Sequence, residues 1–88
     1  MSDHAYDRIT DRGIVVSEIF DGVAAASVVE EYPNYHAGPC VLALQFEPSG
    51  AVVHALWGLR AGTDSPAVLV TAYRPDPQRW TQDFRRRI

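Results

Sequence analysis

Two histidines, a tyrosine and a set of arginines carry most of the chemistry this sequence could perform. His4, Arg8 and Arg12 follow one another at four-residue steps. On a helix each is rotated only about 40° from the last, so the three stand along one stripe. Such a stripe offers an anion site, in which Arg8 and Arg12 clamp a phosphate while His4, titrating near neutral pH, moves a proton. Asp3, Asp7 and Asp11 form the adjacent stripe. Surface pairing with both Arg, worth about 0.2–1 kcal/mol a pair, is the alternative reading. His54 sits mid-strand among the apolar residues of AVVHALW. There it is either an interior ring satisfied by a neighbouring carbonyl or a base poised near fixed positive charge. Tyr73 stands directly before Arg74, and Arg85, Arg86 and Arg87 lie close to Trp80 and Phe84. Arginine pairs with phosphate and aromatic rings stack on unpaired bases, which makes this a candidate RNA contact. The same residues also suit an ordinary helix end, with cations complementing the dipole. His36, in NYHAGP, reads as a solvated turn residue, and Glu30 and Glu31, before Tyr32, either as an acid or base or as a solvated strand end.

Composition narrows what these groups can be doing. All eight basic residues are Arg, so every positive charge is permanent and able to grip an oxyanion with two hydrogen bonds. Residues 1–47 hold eight acids and two Arg, and residues 48–88 three acids and six Arg. The net charge of −3 gives no global attraction to a polyanion, so any RNA contact must be a local patch. Cys40 is the single cysteine, which leaves no internal disulfide and no cysteine-based zinc site. Neither a phosphate-binding glycine loop nor HExxH nor GxSxG occurs, and neither a metal nor a cofactor is expected. No apolar run nears the ~20 residues of a membrane span, and the polar start lacks the apolar middle of a secretory signal; a cytoplasmic protein without membrane contact is expected.

The elements that must position these residues are legible from periodicity. Eighty-eight residues, 47% hydrophobic and 22% charged, make one globular domain. Ser2 as cap, Asp3 in the first turn and Gly13 as left-handed stop predict a helix over Asp3 to Arg12. Ile19, Phe20 and Val23 recur at helical spacing and predict a second helix from Val16 to about Ala25, joined to the first by a tight corner. Beyond it the period becomes two, and Ser27–Tyr32, Cys40–Phe46, Ala51–Trp57 and Pro66–Tyr73 read as strands of an antiparallel meander. Trp80, Phe84 and Ile88 at steps of four, after Asp76 and Pro77, predict a short C-terminal helix or turn. The fold class is therefore α+β, with two N-terminal helices on one face of a four-stranded antiparallel sheet. Alternation places Val52, His54 and Leu56 together on one face of the third strand, and Ala67, Leu69, Thr71 and Tyr73 on one face of the fourth.

The segments SDHAYDRITDRGI, EEYP, VHALW and TAYRPDPQRWTQDFRRR, in this order, resemble the bacterial family known as domain of unknown function 4258, from Ser2 to Arg87. By position the family's motif falls on His4, Arg8, Arg12, Gly13, His54, Tyr73 and the Pro75–Trp80 turn. Val15 and Val16 depart from it, standing where a polar helix cap is usual. That family is distantly similar to RelE-like and BrnT-like toxins, small ribonucleases encoded beside antitoxins. The resemblance implies a RelE-like fold, a small zinc-finger antitoxin as partner, and metal-independent cleavage of messenger RNA. Such cleavage needs a base, fixed positive charge and an acid. His54 or His4 would be the base; Arg8, Arg12 and one of Arg85, Arg86 and Arg87 the clamp; Tyr73 or the second histidine the acid. The competing expectation is a non-catalytic protein-interaction module that binds a protein partner through an exposed sheet face or edge, or that pairs as a homodimer through the face the helices leave bare.

Overall fold

The structure is a computed structural model that describes residues 1–88. Ser2 caps helix α1 (Asp3–Asp11), its hydroxyl accepting the Ala5 N–H. Gly13, at φ +76°, turns the chain out of it. Helix α2 is shorter than its apolar spacing predicts, spanning Val16–Asp21 before a 3-10 turn at Val23–Ala25. The break is made at Gly22, whose N–H reaches back to Glu18 and Phe20. A Cβ there would lie 3.3 Å from both the Glu18 carbonyl and the Gln45 side-chain nitrogen, a tight contact that glycine avoids as β2 approaches.

Four strands follow: β1 (Ser27–Tyr32), β2 (Cys40–Phe46), β3 (Val52–Leu59) and β4 (Pro66–Tyr73). They form an antiparallel meander in the order β1-β2-β3-β4. Ile9, Ile14, Val16 and Ile19 pack on Ala43, Val53, Ala55, Trp57, Leu69 and Ala72, so both helices lie on one face. One polar residue enters that core: Gln45 donates to the Ile19 carbonyl at 2.8 Å and accepts the Trp57 indole N–H at 2.7 Å.

Three expectations need correction or narrowing. The pairing skips Val70, since Thr71 faces Leu56 while Leu69 faces Trp57. This extra residue is a β-bulge, and it turns Leu69 toward the helices although Tyr73 points away from them. Of the helix or turn expected over residues 75–88, the structure has the turn: the segment folds into a hairpin-like loop closed by the Trp80–Arg87 bridge and by the Thr81 and Ile88 N–H groups on the carbonyls of Arg86 and Arg79. The Asp83 carboxylate takes the Thr81 hydroxyl and the Arg85 N–H, and Phe84 sits at φ +60°. These local bonds outcompete the helical ladder that the four-residue spacing suggests. Finally, the loop lies over the sheet face opposite the helices, so that face is not left bare around His54.

Candidate functional site

His54 lies between Val53 and Ala55, which point into the helix-covered core, so its ring emerges on the opposite face, paired across the sheet with Leu44 and Tyr73. It is 0% exposed. Its Nε2 is 2.8 Å from the Phe84 carbonyl oxygen. A carbonyl only accepts, so Nε2 carries the proton and Nδ1 is a bare lone pair, and that lone pair is buried without a partner. The ring meets Trp80 edge-on at 4.4 Å between centroids and Tyr73 at 5.8 Å. Burial pushes the imidazole below its ordinary value, with the Phe84 hydrogen bond and the Glu30 charge opposing in part and Arg87 reinforcing.

Beside it, Arg87 grips Glu30 with a fork, Nε on Oε2 and Nη2 on Oε1, each at 3.0 Å. The guanidinium carbon is also 4.6 Å from the centre of the Trp80 ring. Tyr32 donates its hydroxyl proton to the same carboxylate. Arg87 holds the Glu30 carboxyl below the usual carboxylate range. Burial first, and then the Glu30 carboxylate, push the Tyr32 phenol up; burial does the same to Tyr73. The six side chains make a closed aromatic and ionic cluster. The His54 N–H is engaged by a backbone carbonyl, and water has no access to the imidazole. In this state the cluster binds the C-terminal loop to the sheet.

Of the residues singled out in the sequence, the structure thus gathers His54, Tyr73, Trp80 and Arg87. His4 and Arg8 are exposed on α1, across the sheet from His54, so the two imidazoles do not share a site. Arg12 donates to Thr71 Oγ1 at 3.1 Å and to the Ala72 carbonyl at 2.8 Å, tying α1 to β4. Arg74 completes that tie, with its fork on Glu47 and further bonds to the carbonyls of Arg12 and Gly13. Arg85 and Arg86 are exposed at the tip of the C-terminal loop, where with Thr81, Gln82 and Asp83 they line a shallow polar depression. Tyr32 is the member sequence reasoning missed, and Glu30, read as a solvated strand end, is instead forked by Arg87. The signal was their two-residue spacing, which puts both on one strand face, opposite Leu42 and Cys40.

A second concavity lies elsewhere: a trough of about 580 Å³ runs from β1 over β2 to the end of β3, walled by the β1–β2 and β3–β4 loops, with Val28, Val41 and Leu59 as its apolar surface and Glu31, Arg60 and Asp64 at its rim. Val28 is 55% exposed. Cys40 also borders it, but its thiol is buried, donates to the Gly38 carbonyl and is pushed up by that burial. Nowhere do three His, Cys, Asp or Glu side chains gather as metal ligands would, and no helix is long and apolar enough to cross a membrane.

With α1, the meander and His54 in view, the comparison with known families is informative. The family model for the domain of unknown function DUF4258 matches residues 1–74. The chain belongs to that family. The matched stretch contains both helices, the whole sheet, and from the cluster Glu30, Tyr32, His54 and Tyr73; Trp80 and Arg87 lie beyond it. No curated protein and no solved structure matches the chain.

Proposed function

We propose that this chain is a non-catalytic binding module that receives a short extended segment of a protein partner along the free edge of β1. The observation carrying this reading is the trough that starts at that strand, its apolar floor running from Val28 on β1 over Val41 on β2 to Leu59 at the end of β3. β1 pairs only with β2, so its outer backbone groups remain available for strand addition. At β4, the other edge, Arg12 already occupies the Ala72 carbonyl. Glu31 and Asp64 at the rim outnumber Arg60 and favour a segment that alternates apolar and basic residues. The bulge at Val29 interrupts the edge, so the segment is short. A second copy pairing through β1 would bring two Glu30–Glu31 pairs together, which disfavours a homodimer at this edge.

The finer expectation, a RelE-like ribonuclease, needs an accessible base beside its acid; His54 is sealed against Tyr73, and His4, though exposed, lies across the sheet from both. Selection from a displayed peptide library discriminates the two. Enrichment of alternating apolar and Arg or Lys segments is expected, with binding lost in Val28→Asp, weakened about tenfold or more in Glu31→Lys, and unchanged in His54→Gln. Cleavage of single-stranded RNA or growth arrest that His54→Gln abolishes would overturn the module reading, as would peptide binding indifferent to Val28→Asp.

A further inference from the structure

Residues 75–88 are tied to the sheet through one imidazole and one ion pair, with Pro75 and Trp80 buried. The loop has no strand or helix of its own and satisfies its backbone largely within itself. Its ties to the sheet are the Phe84 carbonyl on His54, the Trp80 ring against the same imidazole, and the Arg87 fork on Glu30. The buried Nδ1 of His54 has no partner. A neutral ring tolerates this as an unused acceptor, but a proton there would become a buried, unsatisfied N–H on a cation. The groups facing the ring are Glu30 and Tyr32 from β1, Tyr73 from β4 and Arg87 from the loop; β2 contributes the uncharged Leu44. Glu30 would attract the imidazolium, yet its carboxylate is already forked by Arg87 and bonded by Tyr32.

We propose that the C-terminal loop is a proton-operated strap: uptake of one proton at Nδ1 of His54 frees residues 75–88 from the sheet and bares the face carrying His54, Tyr73 and Glu30. Proton balance is simple. Nε2 keeps its hydrogen, Nδ1 gains one from solvent, and the resulting cation is relieved only where water reaches it. Arg87, freed from Glu30, leaves that carboxylate to accept the new charge. Burial of the neutral ring sets release below the ordinary imidazole value.

The test is a pH titration of the full chain by NMR, following the His54 ring and the two indole N–H resonances. Trp57, bonded to Gln45 in the helix-side core, reports the domain, and Trp80 reports the strap. The Trp80 signal is expected to move to its unstructured position with the same midpoint as the His54 titration, below about 6.5, while Trp57 stays native. His54→Gln, whose amide can still donate to Phe84 but does not titrate, should remove that step. Arg87→Gln, which breaks the fork on Glu30 and removes a cation that disfavours the imidazolium, should raise the midpoint. The proposal is overturned if both indoles lose structure together, if Trp80 stays in place while His54 protonates, or if His54→Gln releases the loop at the same pH. Should His54→Gln fail to fold, coincidence of the wild-type midpoints and their rise in Arg87→Gln carry the decision.

Discussion

Gln45 does at the residue scale what its neighbours in β2 cannot. It is buried, and it joins the Ile19 carbonyl, at the end of α2, to the Trp57 indole on β3. Replacing it by leucine keeps the volume but orphans a donor and an acceptor that are both shut away from water. Gln45→Leu is expected to cost about 2–3 kcal/mol, read as a lower urea midpoint with an unchanged slope. His54 has the opposite character, with one ring nitrogen satisfied and one bare. Its position mid-strand among apolar residues was visible in the sequence, and so was the choice between interior ring and base. The choice itself depended on residue 84, thirty positions away, because a carbonyl offered by a non-repetitive loop leaves no periodic trace. Arg12 was legible as a helix-face cation, but its partner turned out to be a strand backbone rather than a phosphate or a neighbouring aspartate.

Among the elements, the strands β1, β2 and β4 begin and end where the sequence predicts, since proline and glycine clusters bound alternating runs and both signals are local. Helix α1 was equally readable, from its serine cap and its glycine stop. Gly13 is held at φ +76°, and its N–H and the Ile14 N–H close the helix end on Thr10 and Ile9. Gly13→Ala should therefore destabilise by about 1 kcal/mol or slightly more, measured by thermal or urea unfolding. The C-terminal stripe was misread for a physical reason. Trp80, Phe84 and Ile88 share helical spacing, yet Ile88 is 82% exposed and Phe84 is left-handed, because Asp83 and Thr81 fold the chain back first. The bulges at Val29 and Val70 escaped detection too: a strand that gains one residue keeps its composition and loses only its phase.

For the whole molecule, the ionisable groups bracket the range of stability. The folded His54 value lies below the ordinary one, so the unfolded chain takes up a proton first as pH falls. The stabilisation is complete above about 6.5 and declines as pH drops toward the lower, folded value. Glu30 and Asp83 also titrate below their ordinary values, and their contributions disappear at still lower pH, as it falls through those depressed values. Tyr32 and Tyr73 are raised, so theirs are complete below about 10 and fade as pH climbs through the raised values. Burial raises the Cys40 thiol as well, so urea midpoints should form a plateau from about pH 7 to 8.5 that falls on both sides, and His54→Gln should flatten the first part of the acid limb. What the sequence alone determined is the part written in local periodicity: an α+β chain, its helices, its four strands and their antiparallel order. Only the tertiary structure decided which side chains meet. It closed His54, Tyr73 and Trp80 over a Glu30–Arg87 pair and sent His4 across the sheet, because those contacts join residues far apart in the chain, and burial, not spacing, selects them.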